Sequence, residues 1–485
     1  MTASAYQKLT EIFERAYYLK RTQSLLNWDS AVMLPPAAGP IRARQMAIQS
    51  ELIHQTLSDP HLGKFISNAQ AQESTLDIWQ QANLREMRRL YRQHQAVPEA
   101  LHSRLAEETV HCEQAWRQAK TDNNFKLFAK AFAPLMELIR KKSETLSSAL
   151  ELDPYSALLQ DYDPSVTKID CDSLFTSLSQ KLPSLIREVT THQAEIPESD
   201  PLDWDTKSQM KICRQVIRDL GFDFEKGRLD KSAHPFTEGG VNDVRMTTQI
   251  EPHQPLHSLL SAIHECGHAL YDLHLPPDWH TQPVGAALGM SVHEGVALFY
   301  EMTVARSTYF AHYLHQQCQS IGLSTTVDNI RIPLLKVNPG AIRIQADEVT
   351  YLAHLIIRYR IETKLLEGSL EIESIPTFWN EQMHNLLGIT PKDYAEGCLQ
   401  DIHWALGLFG YFPCYAIGFA HSCHLFRWLQ EEIEQCDFGK ILQQLDHHLF
   451  SRGSMDTKFF LLNESVQTTD PAEFILNYLE DKYLK

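Results

Sequence analysis

The stretch Ser261-Ala262-Ile263-His264-Glu265-Cys266-Gly267-His268-Ala269-Leu270 decides how this chain is read. It has the form His-Glu-x-x-His, and its meaning depends on whether it is helical. Leu256, Leu259, Leu260, Ile263, Gly267, Leu270 and Leu273 recur at helical spacing, Pro255 suits a first turn, and Pro276-Pro277 closes the segment. Four residues on a helix advance a little over one turn, so His264 and His268 leave the same face and two neutral imidazoles can share one Zn²⁺. Glu265 stands about 100° round the axis. There it lies beside such an ion without binding it, placed to take a proton from water that the metal has acidified. Cys266 faces away from that side and is expected to serve packing.

Two histidines need a third ligand. Glu294 follows His268 by 26 positions, enough for a turn and a second helix, and Val292, Val296, Phe299 and Thr303 keep helical spacing around it. Two His and one Glu leave a coordination position open to water, the arrangement of a catalytic site. His293 and Glu301 are rivals by composition; Glu301 lies two turns further on and His293 points elsewhere, so Glu294 is preferred.

Working outward, a chain of 485 residues can bury a substantial core, and 43% hydrophobic with 22% charged residues is an ordinary globular balance. Sixty-one acidic against 44 basic residues give a net charge of -17, which repels phosphate backbones and argues against nucleic acid as a partner. No run approaches twenty uninterrupted apolar residues and Met1 to Lys8 lacks a secretion-signal layout, so no membrane partner and a cytoplasmic location are expected. Nine scattered cysteines without a Cys-x-x-Cys pair suggest free thiols in a reducing compartment.

Amphipathic stretches at Tyr6 to Leu26, Ile41 to Leu57, Leu76 to His94 and Pro98 to Ala119 predict antiparallel helices, with Asn27 to Pro36 between the first two read as a buried loop of structural purpose. Turn-rich connections are expected at residues 150–170 and 196–203. The run His234 to Thr248, with Gly239-Gly240 and alternating Val and Met, predicts a short hairpin next to the metal helix. Val337 to Gly340 is a turn, Ile342 to Arg358 begins extended and becomes helical, and the glycines and aromatics between Ala405 and Gly418 suggest close packing. The residues from Asp470 onward read as one amphipathic helix.

Several blocks in fixed order resemble the carboxypeptidase Taq family of metallocarboxypeptidases: His-Pro-Phe at 234–236, Asp-x-Arg-x-Thr at 243–247, His-Glu-x-x-His at 264–268, His-Glu at 293–294, Ile-Arg-x-x-Ala-Asp at 342–347 and Gly-x-x-Gln-Asp-x-His-Trp at 397–404. The segment from Trp28 to Met33 is also similar to the N-terminal part of that family. One departure is that Gly295 and Ala297 stand where the family pattern usually has serines. The resemblance implies a mainly α architecture, a large helical single-cleft zinc peptidase with a small β-hairpin or short sheet bordering the cleft. It implies one catalytic domain over 1–485 with lobes near 1–195 and 196–485, acting as a homodimer on peptides with a free C-terminal carboxylate. It implies Zn²⁺, or Co²⁺ or another divalent ion, held by His264, His268 and Glu294, with Glu265 as general base and then acid. An exopeptidase must also hold a terminal carboxylate, a task for an arginine fork: Arg343 is the first choice and Arg245 the second. Arg343 has Asp347 as a rival partner and Arg245 has Asp243. His403 and Tyr415 are candidates to stabilise the oxyanion, Tyr411 is a rival of Tyr415, and His234 could line the site.

Two other readings share these residues. A zinc oligopeptidase would cut internal bonds of short peptides with the same metal chemistry. A non-catalytic helical scaffold is disfavoured, because burying Glu265 without a metal carries a desolvation penalty with nothing to offset it.

Overall fold

Long uninterrupted helices follow from long stretches without a breaker. The first helix runs from Ala5 to Val32, Ser4 capping it by accepting from the Gln7 amide. The expected loop at Asn27 is therefore corrected. Nothing between Leu26 and Val32 stops a helix, and the first breakers are Pro35 and Pro36, where a short 3-10 turn begins. The expected burial is corrected as well: Trp28 is 4% exposed, but Asn27, Ser30, Ala31, Met33, Pro35 and Pro36 are exposed, because only one side of the helix end faces the core. The computed structural model describes residues 4–459 and 470–485. Among these the fold is mainly α with one small sheet.

The described chain forms two compact units. Residues 4–95, 198–334 and 424–459 belong to one, and residues 96–197, 335–423 and 470–485 to the other. The chain crosses between the two units at 95/96, 197/198, 334/335 and 423/424, so neither unit is one continuous stretch, and the expected lobes near 1–195 and 196–485 are corrected.

In the first unit, Leu9, Phe13, Leu57, Leu62, Ile66 and Met87 close a core among the N-terminal helices. A second, larger core surrounds the motif helix Pro255–Leu273, whose Leu259, Leu260, Ile263, Gly267, Leu270 and Leu273 are buried as the period-3.6 stripe predicted, with Leu256 partly buried. Beside it lies a three-stranded sheet ordered β1-β3-β2, with β1 Gly227–Lys231, β2 Thr237–Glu238 and β3 Val244–Thr248. The hairpin of β2 and β3 is antiparallel as expected, Gly240 and Asp243 closing its turn with two mutual backbone bonds. β1 pairs parallel to β3, a strand that periodicity did not reveal because only Leu229 in it is buried.

The second unit is built from the helices Phe125–Leu150, Lys168–Gln193, Tyr351–Glu367 and Pro471–Leu484. Asp153, capping the short helix Pro154–Leu159, makes part of the turn-rich connection helical. Gly407 and Gly410 have φ of +69° and +88°, so the turns between Trp404 and Tyr411 need the left-handed backbone that glycine allows. Among the described residues no helix is long and apolar enough to cross a membrane.

Candidate active site

His264 and His268 project from one face of the motif helix, and Glu294 comes from the next helix, Met290–Leu298. Glu294 Oε1 lies 3.8 Å from His264 Nε2 and Glu294 Oε2 3.4 Å from His268 Nε2. One ligand atom from each residue falls within 4.8 Å of the others, a spacing that a single ion can span. The donor set fits a borderline divalent metal: two ring nitrogens, one carboxylate, and a Glu294 Oε1 that is buried without a hydrogen-bond partner among the described residues. Burial alone would raise the Glu294 pKa, but the His264, His268 and His293 rings more than offset it and hold the carboxyl below its ordinary value. At His264 burial favours the neutral ring, and Glu294, Glu301 and Glu265 together overcome it, lifting the pKa to about 10. Burial is also the largest influence on His268, and there it prevails, keeping that ring neutral.

The rivals for the metal have other tasks. Glu301 Oε2 sits 2.8 Å from His264 Nδ1, the ring nitrogen turned away from the ligand side. His293 Nδ1 is 2.6 Å from His268 Nδ1, and His293 Nε2 is 3.1 Å from Asp272 Oδ1. Both ligand rings are thus fixed from behind, as metal-binding imidazoles usually are. Glu265 is 6% exposed and its Oε2 accepts from the Thr237 hydroxyl at 2.6 Å. Cys266 is buried and serves packing, with its thiol pushed up by desolvation.

A second constellation belongs to the other unit. The Arg343 guanidinium turns to Asp401 rather than to Asp347, with Nε and Nη2 at 3.1 and 3.0 Å from Oδ1. Asp347 accepts from the Val349, Thr350 and Asn338 amides, which shapes the turn. Arg358, fully buried over the Trp379 ring, donates from Nε to Asp401 Oδ2 at 2.7 Å. Two guanidiniums on one carboxylate keep Asp401 ionised far below the usual range against its burial, and burial with the Arg343 charge draws Arg358 down to about 10. Tyr415 faces the Arg343 guanidinium at 5.3 Å from its ring centre. The His403 ring packs on Phe412, Tyr411 and Tyr415 at 4.5, 5.3 and 6.3 Å between centres.

A family model described as carboxypeptidase Taq (M32) metallopeptidase matches residues 8–483. The chain belongs to that family. It is 31% identical to thermostable carboxypeptidase 1 of Thermus thermophilus, the match covering 99% of this chain and 98% of the relative. Carboxypeptidase 1 of Bacillus subtilis is 28% identical over 100% of this chain and 99% of its own length. Among solved structures, Trypanosoma cruzi metallocarboxypeptidase 1 superposes with a TM-score of 0.95 at 34% identity, covering 99% of each chain. The Pyrococcus furiosus carboxypeptidase gives 0.93 at 28%, covering 100% of this chain and 99% of the other. As a member of the family the chain is a metal-dependent carboxypeptidase, and a divalent ion has a fitting site at His264, His268 and Glu294.

The residues expected from sequence fall into two groups. His264, His268, Glu294 and Glu265 meet in the first unit; in the second, Arg343 and His403 lie against Asp401, and Tyr411 and Tyr415 pack on the His403 ring. Arg245 pairs with Asp243 at 2.9 Å and stacks on Trp28, and His234 is an exposed loop residue. Sequence reasoning passed over the supports of the site: Asp272, Thr237, Arg358 and Asp401. Asp272 was within reach, since it stands four residues after His268 and thus on the same face of the motif helix.

Proposed function

We propose that this carboxypeptidase releases single residues from peptide C-termini, with zinc held by His264, His268 and Glu294 and with Glu265 moving the protons. The observation that carries the reading is the convergence of two imidazoles on the buried Glu294 carboxylate, whose Oε1 has no hydrogen-bond partner among the described residues, with a second carboxylate, Glu265, on the helix of the two histidines and outside that group. When bound, the ion polarises the scissile carbonyl and acidifies water, and cobalt or another divalent ion has the same donors available. Glu265 accepts the proton of the attacking water and passes it to the leaving amine. In this reading Arg343 binds the terminal carboxylate. Its support is the charge of the Arg343, Arg358 and Asp401 cluster, two buried cations against one anion, which favours a second anion. Arg245 ranks below it because Asp243 already neutralises it. His403 and Tyr415 are assigned to the oxyanion, and Tyr411 and His234 to contacts with the peptide.

In the same reading, residues 1–485 act as one catalytic domain, the protein resides in the cytoplasm, and it forms homodimers. Nine free cysteines, eight of them buried, suit a reducing compartment. The exposed Tyr18, Leu25, Ile41, Ile48 and Leu52 on the first two long helices, with Met33 just past the end of the first, suit a covered surface. The test is a pair of N-blocked dipeptides, one ending in a free acid and one in an amide. Cleavage of the acid alone is expected; equal cleavage of the amide would transfer the protein to the internal-bond reading. Glu265→Gln is expected to retain about one equivalent of metal while losing nearly all turnover.

A further inference from the structure

The segment from Arg21 to Trp28, which the reaction itself does not employ, holds the strand that touches the general base. We propose that Thr237 is the positioning residue of Glu265, and that the first helix fixes Thr237 by clamping its neighbour Glu238. The proposal rests on Glu265 being the base.

Thr237 Oγ1 lies 2.6 Å from Glu265 Oε2 and 3.0 Å from the Glu265 carbonyl oxygen. A hydroxyl has one proton, and the nearer, charged oxygen takes it. Among the described residues no other donor reaches this carboxylate, so Oε2 is fixed and Oε1 is left for the reacting water. A base acts only within hydrogen-bond reach of the proton it removes, so small displacements of the carboxylate matter.

β2, however, is a poor holder by itself. It is two residues long and lies at the edge of the sheet, paired only with β3. Its stiffness comes from outside the sheet. Glu238 accepts from the Ser24 hydroxyl through Oε2 and from Asn27 Nδ2 at 2.7 Å through Oε1. Arg21 donates to the carbonyl oxygens of Gly239 and, at 3.2 Å, Asp243, which close the β2–β3 turn. The Trp28 ring is met by the guanidiniums of Arg228 on β1 and Arg245 on β3, at 4.8 and 4.6 Å from its centre. One face of one helix thus grips all three strands, and β2 carries the result to Glu265.

The experiment compares Thr237→Val, Thr237→Ser and Asn27→Ala with the parent full-length enzyme, zinc-loaded for kinetics and metal-free for zinc affinity by chelator competition and for thermal unfolding. Thr237→Val is expected to lower kcat by about 10–100-fold, with KM and zinc affinity within about threefold of the parent, and Thr237→Ser to restore kcat to within about threefold. Asn27→Ala should lower kcat in the parent and add nothing in the Thr237→Val background, because both act through one chain of contacts. Parental kcat in Thr237→Val, beside a dead Glu265→Gln, would overturn this proposal alone. An active Glu265→Gln would overturn the base assignment and this proposal with it. A fall in zinc affinity or metal-free melting temperature matching the loss of kcat would make Thr237 merely structural and overturn the positioning role.

Discussion

His293 adjoins Glu294, the acid of the candidate metal site, in sequence but contacts His268 on the other helix, and that contact limits which nitrogens carry protons. His268 Nδ1 and His293 Nδ1 lie 2.6 Å apart, so one carries a hydrogen and the other does not. If His268 Nε2 is the metal ligand, its Nδ1 is the donor, His293 Nδ1 accepts, and His293 Nε2–H points to Asp272 Oδ1 at 3.1 Å. Only an acceptor-only group at 272 enforces that sequence. Asp272→Asn introduces a donor that permits the opposite tautomer of His293, placing two N–H groups face to face. Its zinc dissociation constant, measured by chelator competition at fixed pH, is expected to rise about 10–100-fold; an unchanged value would remove the relay from the account of metal affinity. The histidine pair of the candidate metal site was legible, because its spacing is a single helical turn, whereas Glu294 stands on another helix 26 residues after His268 and had His293 and Glu301 as rivals. The supports were less so: Asp401, the partner of Arg343, stands 58 positions further along the chain, a separation that no local pattern encodes.

The two metal-bearing helices meet at their smallest residues. A Cβ built on Gly267 would stand 2.6 Å from the Ala297 Cα, 3.1 Å from its amide nitrogen and 3.1 Å from the Val296 carbonyl oxygen, all of them backbone. His268 touches His293 and His264 touches Glu301, so the helices run antiparallel, and the π-helical turn Phe299–Val304 presents Glu301 at the far end. Ala297 is the contact point of this crossing, and Gly295 lies two residues before it. Gly267→Ala must separate the backbones, with a penalty of about 1–3 kcal/mol for overpacking. Glu294 would be drawn away from both imidazoles, so denaturant unfolding should show lower stability and chelator competition weaker zinc binding; retention of both would mean the crossing is not tight. On the helix Tyr351–Glu367, Glu362 accepts from Tyr155 Oη, Trp404 Nε1 and the Gly410 amide at 2.7, 3.0 and 3.0 Å, tying down the glycine turns. Its burial outweighs these donors and lifts its pKa to about 7 from an ordinary 4.5. Stability from this group is therefore complete below about 4.5 and is lost as pH rises toward about 7, on the order of 3 kcal/mol in all. Subtracting the Glu362→Gln unfolding free energy from that of the parent at each pH should expose this decline, and a flat difference would refute it.

Across the molecule, sequence order and spatial order part company. The helical periods, the acidic balance and the absence of long apolar runs were open to inspection, yet no periodicity tells which helices share a core, because that is decided by contacts hundreds of residues apart. Asn83 donates to Gln282 and Arg85 to the Ser454 carbonyl in the first unit, while Trp116 donates to the Leu399 carbonyl and Phe132 stacks on Phe409 in the second. Each unit therefore draws its core from early and late segments alike. A fragment of residues 196–485 keeps all three metal ligands and the Arg343 cluster, so if the lobes were laid out in sequence it should fold and bind zinc. It lacks Leu9, Phe13, Leu62, Ile66 and Met87 from one core and Phe128, Phe132, Leu178 and Leu182 from the other, all of them buried. Losing several fully buried side chains at about 2–5 kcal/mol each exceeds the 5–15 kcal/mol by which a domain is ordinarily stable. The fragment is expected to melt without a cooperative transition and to bind zinc no better than an unfolded His-containing chain. A sharp melting curve that moves upward with added zinc would show that the metal-bearing part is a folding unit in its own right.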